Sequence, residues 1–181
     1  MRKQNPTLPV INLYGGPGCG KSTSAALIFG KLKQLGYNVE LCTEYAKTCV
    51  WRKAFEILND QLYILGKQNH KLHVLKTQCD AAITDSPLPL TLIYNKELEN
   101  LTNITLEVFN QYHNFNYIIE RSKLYNPSGR MQTENEAVGI DGQIKELLDF
   151  RSIPYTVVPY GDEGVMVIVQ NFVKWFEANR S

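Results

Sequence analysis

The sequence predicts an α/β fold in which a parallel β-sheet carries helices on both faces. Strand-like and helix-like segments alternate five times along 181 residues. Such alternation builds parallel sheets, because a parallel neighbour is reached only through a long crossover. The first strand runs into the string Gly15-Gly16-Pro17-Gly18-Cys19-Gly20-Lys21-Ser22 and then directly into a helix. A later apolar run, Cys79-Asp80-Ala81-Ala82-Ile83-Thr84-Asp85, ends on a carboxylate, which a buried strand would deliver beside the glycine-rich turn.

Composition narrows the class. A chain of 181 residues with 44% hydrophobic and 20% charged residues is large enough for one domain with a real core. A net charge of +1 gives no global basic field for nucleic acid, although a local groove stays open. Cys19, Cys42, Cys49 and Cys79 have neither disulfide-framework nor zinc spacing. A reducing, cytoplasmic location is therefore expected. Arg2 and Lys3 are followed by no apolar h-region, and no apolar run is long enough to span a membrane, so neither signal peptide nor membrane partner is expected.

In chain order, residues 1–8 are a polar lead-in, and Pro9–Tyr14 reads as a short apolar strand. The next eight residues have the form G-x-x-x-x-G-K-[ST] of the phosphate-binding P-loop. Glycines bring backbone close to phosphate oxygens, and the N–H groups converge on an anion at the positive end of the following helix. Lys21 is expected at the β- and γ-phosphates, and the Ser22 hydroxyl at Mg²⁺. The helix from Ser22 to Leu35 is capped by Gly36.

Tyr37–Cys42 alternates as a second strand, ending at Thr43-Glu44-Tyr45-Ala46-Lys47. Helical periodicity from about Val50 to Lys76, with Gly66 as an interruption, places Gln61 and Gln68 on one face. The third strand ends at Asp85 in a Walker-B-like pattern, and Ser86-Pro87-Leu88-Pro89 breaks the chain. Residues 90–112 read as helical with a polar middle at 100–103, and Phe115–Glu120 as strand four. A basic loop with Arg121 and Arg130 follows, then a helix from Thr133 to Phe150 whose Thr133 and Glu136 have capping-box spacing. Tyr155–Val158 is strand five, Pro159-Tyr160-Gly161 a turn, and Glu163–Ala178 the last helix.

Among P-loop proteins a GTPase is excluded because Asn95-Lys96-Glu97-Leu98 lacks the aspartate of Asn-Lys-x-Asp. A transport ATPase needs a long insert, and an AAA-type motor needs a helical lid domain and an Asp-Glu pair, whereas Asp85 precedes Ser86. A small kinase remains. Phosphoryl transfer needs neutralised phosphate charge, excluded water and an in-line acceptor. Arg121 and Arg130, flanking the turn Asn126-Pro127-Ser128-Gly129, have the build of a closing lid, since a guanidinium fork holds two phosphate oxygens. Lys47 and Lys123 read as surface cations.

The chain resembles the P-loop nucleoside and nucleotide kinases, the thymidylate-kinase-like group. Within it, the chain is most similar to short bacteriophage P-loop kinases, which include enzymes that phosphorylate 5-hydroxymethyluridine in DNA. The strings that carry the resemblance are residues 13–23, Glu44-Tyr45-Ala46-Lys47, Asp60-Gln61-Leu62-Tyr63-Ile64, residues 83–88 and Gly129-Arg130-Met131-Gln132-Thr133.

The resemblance implies a single domain over residues 1–181, a three-layer P-loop kinase fold with strand order 2-3-1-4-5, and a lid at about 121–132. It implies that Gly15, Gly16, Pro17, Gly18, Cys19, Gly20, Lys21, Ser22 and Thr23 hold ATP and Mg²⁺, with the adenine near Tyr160. Asp85 either orders the metal through water or acts as base, and Glu44 positions or deprotonates the acceptor. Tyr45, Gln61 or Gln68, and Ser86 face the acceptor, while Arg121 and Arg130 close over the transferring group. Members usually carry an arginine after strand three. Here Ser86-Pro87 follows Asp85, which favours a hydroxyl acceptor over a nucleoside monophosphate, unless Arg52 compensates.

The expected activity is thus ATP- and Mg²⁺-dependent transfer to a nucleoside-type or nucleotide-type acceptor, with 5-hydroxymethyluracil in phage DNA included and a homodimer as a possible state. A precursor-pool monophosphate kinase and a non-kinase ATPase switch are the alternatives. His70 and His73, three apart without a third ligand, read as surface residues. Trp51 and Trp175 read as core or rim, and His113 has no partner in this reading.

Overall fold

The computed structural model describes residues 7–95, 98–121 and 133–180. Its centre is a five-stranded, wholly parallel sheet in the order β2-β3-β1-β4-β5. The strands are β1 (Pro9–Tyr14), β2 (Val39–Cys42), β3 (Ala81–Thr84), β4 (His113–Ile119) and β5 (Thr156–Val158). The helices are α1 (Lys21–Gln34), α2 (Tyr45–Trp51), α3 (Gln61–His73), α4 (Thr91–Tyr94), α5 (Leu101–Phe109), α6 (Glu134–Phe150) and α7 (Asp162–Asn179). The predicted α/β class and strand order are those observed.

Alternation along β1 builds the two cores. Ile11 and Leu13 face α1 and α7, packing with Ile28, Leu32, Ile168 and Phe172. Val10 and Tyr14 face the other way, toward Leu65 and Leu72 of α3, Phe109 of α5, and Ile144 and Leu148 of α6. Successive strand side chains point to opposite faces, so a central strand covered on both sides must be apolar throughout. The exception is Asn12, 1% exposed. Its amide donates to Asn114 Oδ1 at 2.9 Å and Asn116 Oδ1 at 3.1 Å, which removes the penalty of burying it.

Helix ends explain where the sequence reading holds and where it does not. After α1, Gly36 sits at φ 89°, and the Tyr37 and Gly36 N–H groups reach back to the Leu32 and Lys33 carbonyls, a Schellman closure. The same closure ends α2, with Ala54 and Lys53 N–H groups on Cys49 and Val50. There the left-handed position is Lys53, at φ 55°. The helix expected over 50–76, with its interruption at Gly66, is therefore corrected: it is the end of α2, a 3-10 turn at Phe55–Asn59, and α3. Asp60 starts α3 by accepting the Tyr63 N–H at 2.9 Å, a side-chain N-cap, and Gly66 interrupts nothing. The helix expected over 90–112 is likewise two short ones, α4 and α5.

The capping box at α6 is present in full: Glu136 N–H donates to Thr133 Oγ1 at 3.3 Å and Thr133 N–H to Glu136 Oε2 at 2.6 Å. Thr133→Ala is expected to lower stability by about 1 kcal/mol, read as a shift in the urea midpoint at constant slope. The stretch 122–132, which holds most of the expected lid and Arg130, lies outside the described residues. His113, partnerless in the sequence reading, stacks on Trp175 with centroids 4.5 Å apart, and burial lowers its pKa. No described helix is long and apolar enough to cross a membrane.

Candidate nucleotide and acceptor site

The carboxyl ends of all five strands meet at one edge, where open α/β sheets collect ligands. β1 leads to the P-loop, β2 to Glu44, β3 to Asp85, β4 to Arg121 and β5 to Tyr160. A cleft of about 760 Å³ opens there. Its floor is P-loop: Gly15, Pro17, Gly18, Gly20, Lys21, Ser22 and Thr23.

The loop is shaped by glycines in the left-handed region, with Gly15 at φ 139°, Gly18 at 84° and Gly20 at 99°. Two of them also have no room for a Cβ: it would strike the Cys19 sulfur at Gly15 and the Tyr160 ring at Gly20. Lys21 Nζ donates to the carbonyls of Gly15 at 2.6 Å and Gly16 at 3.0 Å, so the ammonium is held inside its own loop.

Across the floor, Asp85 is 4% exposed and its Oδ1 accepts the Glu44 backbone N–H at 2.9 Å. That bond fastens the ends of β2 and β3 together and places both carboxylates on the cleft wall, Glu44 at the N-cap of α2. Ser22 and Asp85, both lining the cleft, offer hard oxygen donors of the kind Mg²⁺ takes when triphosphate oxygens and waters complete its shell. Among the described residues no three His, Cys, Asp or Glu gather into a metal cluster.

The two glutamines differ. Gln61 donates to the Leu58 carbonyl at 2.6 Å. Gln68 donates to Thr84 Oγ1 at 3.1 Å, while its Oε1, buried at the cleft, has no partner among the described residues. Ser86 also lines the cleft and gives its N–H to Thr84 Oγ1 at 3.1 Å.

Other predicted residues lie off the cleft wall. Tyr45 is half-buried and edge-on to Tyr63, hydroxyl to hydroxyl at 3.4 Å. Tyr160 lies against Gly20. Cys19 is fully buried beneath the loop. Gly16 faces α6, and Arg121 is engaged with Asp141, Pro17 and Ala137 rather than poised over the floor.

The sequence reading missed Lys47, Phe55 and Tyr94, all on the wall with Leu58 and Ile64. Burial, and then the charges of Glu44 and Asp141, push the Tyr94 phenol up to about 12, so it is a neutral donor at any physiological pH. Phe55 was hidden by its place in a segment read as helix, where the structure has a 3-10 turn. Lys47 is exposed, as the sequence reading had it, yet α2 sets it at the cleft. Arg52 is exposed and is not part of the wall.

Fold and cleft define a P-loop nucleotide-binding protein. The chain belongs to the AAA domain family, whose model matches residues 10–164. That span runs from β1 to the first turn of α7. The sequence reading set aside an AAA-type motor for want of a lid domain and an Asp-Glu pair; the match nevertheless assigns the chain to the AAA domain family. Similar solved structures include two that span nearly the whole chain. One is described as the crystal structure of APE1195, 18% identical, covering 97% of this chain and 98% of that one, with a TM-score of 0.49. The other is the Mycobacterium tuberculosis APS kinase CysC in complex with AMPPNP and APS, 12% identical, covering 97% and 99%, with a TM-score of 0.49. No curated protein matches the chain.

Proposed function

We propose that this protein is an ATP- and Mg²⁺-dependent phosphotransferase that moves the γ-phosphate to a hydroxyl of a nucleoside-type or nucleotide-type acceptor, with 5-hydroxymethyluracil in DNA as one candidate. The observation that carries the reading is the division of one cleft. A phosphate-binding floor faces a second half walled by Phe55, Leu58, Ile64 and Tyr94, with the buried Gln68 oxygen among them. Water as sole acceptor needs no such half. A planar heterocycle does, since flat apolar and aromatic walls bury its faces and a polar group reads its edge.

In this reading the P-loop N–H groups and Lys21 hold the triphosphate. Bound Mg²⁺ supplies charge neutralisation of the β- and γ-oxygens. The Glu44 carboxylate takes the acceptor hydroxyl proton as the oxygen bonds to γ-phosphorus, and the bond from γ-phosphorus to the bridging oxygen breaks to release ADP. Asp85 keeps Glu44 in place through the Glu44 N–H. No arginine lines the wall among the described residues, which favours a neutral hydroxyl acceptor. Lys47 on the same wall supports the second reading, a monophosphate kinase in which that ammonium holds the acceptor phosphate.

The test is transfer of labelled γ-phosphate to deoxynucleosides, deoxynucleoside monophosphates, and duplex DNA with and without 5-hydroxymethyluracil. Label on a hydroxyl acceptor supports the first reading and label on a monophosphate the second. ATP consumption without any labelled acceptor would replace both with an ATPase switch. Glu44→Gln is expected to cut transfer roughly 10²–10⁴-fold, the usual worth of a general base, with ATP affinity unchanged.

A further inference from the structure

We infer that Asp141 and Arg121 form a strut that sets the peptide planes of the P-loop from behind and thereby governs its grip on the nucleotide phosphates. The inference rests on the loop binding a nucleotide and is independent of which acceptor is used. Asp141 lies in α6 and Arg121 just after β4. Asp141 Oδ1 accepts the Gly16 N–H, and its Oδ2 accepts Arg121 Nε at 2.7 Å. Arg121 Nη1 donates to the Pro17 carbonyl at 2.8 Å and Nη2 to the Ala137 carbonyl at 3.1 Å. The two side chains are 14% and 29% exposed, so these charge-assisted bonds are only partly screened.

Peptide geometry turns these contacts into a statement about the opposite side of the loop. A trans peptide is planar, with its C=O and N–H pointing in opposite directions, and no described peptide is cis. Asp141 draws the Gly16 N–H outward, so the Gly15 carbonyl of the same plane turns inward, where Lys21 Nζ meets it at 2.6 Å. Arg121 draws the Pro17 carbonyl outward, so the N–H of Gly18, a floor residue, turns toward the cleft. The strut thus fixes one donor aimed at phosphate and the carbonyl that steadies Lys21 before any nucleotide arrives. Preorganised donors bind anions without the cost of ordering them.

Gly16 fits the same account. It needs no unusual backbone angle, but a Cβ there would come within 3.0 Å of the Ala137 carbonyl, Asp141 Oδ1 and Arg121 Nη2. Its glycine makes room for the strut. Asp141 and Arg121 do not themselves line the cleft; they reach it only through the loop backbone and are positioning residues.

The test is equilibrium titration of the full chain with a fluorescent non-hydrolysable ATP analogue, alongside thermal melts without nucleotide. Asp141→Ala and Arg121→Ala are each expected to weaken binding tenfold or more. The double variant should be no more than about threefold worse than either single, because groups acting as one device are non-additive. Asp141→Asn keeps an acceptor for Gly16 and should recover part of the loss at the same melting temperature as Asp141→Ala, which separates positioning from stability. Should Asp141→Ala fail to fold, Asp141→Asn and Arg121→Ala decide alone. Folded single variants that bind within twofold of wild type, or losses that multiply in the double, would overturn the inference. Wild-type chain that binds no analogue would overturn it together with the nucleotide reading. Wild-type chain that binds the analogue yet phosphorylates nothing would sink only the kinase reading.

Discussion

Lys21→Ala is expected to lower phosphoryl transfer roughly 10²–10³-fold or more, the cost of removing one preorganised electrostatic donor from a transferring group. The ammonium is the one cation on the loop itself, and in the structure it already bridges the Gly15 and Gly16 carbonyls. Its removal therefore takes away a charge the γ-phosphate needs and a clasp the loop needs. Far-ultraviolet circular dichroism should be unchanged, because the lysine is only half-buried and packs no core. Single-turnover transfer is the measurement that checks it. Undiminished turnover would remove the P-loop from the chemistry.

Phe172→Ala is expected to destabilise the fold by about 3–5 kcal/mol, a large part of the total stability of a domain this size. Phe172 is fully buried in α7 at the hub of an aromatic group. Its ring lies 5.7 Å from Tyr37, 6.2 Å from Phe115 and 5.6 Å from Phe176. Urea unfolding followed by tryptophan fluorescence reports it directly, since Trp175 belongs to the same group. A loss under 1 kcal/mol would mean that α7 does not pack on the sheet as described.

The contrast between Gly36 and Lys53 shows how much of the fold was legible. Both occupy the same left-handed position after a helix, but only the glycine announces it. The sequence therefore gave the end of α1 correctly and read through the end of α2. A similar stop follows α6, where Ser152 sits at φ 52°. The sheet was legible because its central strand is apolar on both faces and its motifs sit at strand ends. The floor of the site was legible for the same reason, since a contiguous string of glycines, lysine and serine encodes one loop. The opposite wall of the cleft was not, because Lys47, Phe55 and Tyr94 come from three separate short elements that only tertiary packing brings together. Asp141 was hidden most deeply: an acid on an amphipathic helix carries no local sign that it faces a loop 125 positions earlier in the chain.

That separation, with β1 at the middle of the sheet, bears on the order in which the molecule is made. Synthesis releases β1 and the loop first, yet the neighbours of β1 are strands at 81–84 and 113–119. Contacts so distant along the chain close slowly, against a large loop entropy. A nascent chain therefore carries its phosphate-binding sequence long before it carries the strands that flank it. Nucleotide capture belongs to the end of folding: a truncated chain ending before β4 carries every residue that lines the cleft but lacks the strand that holds β1 from its other side.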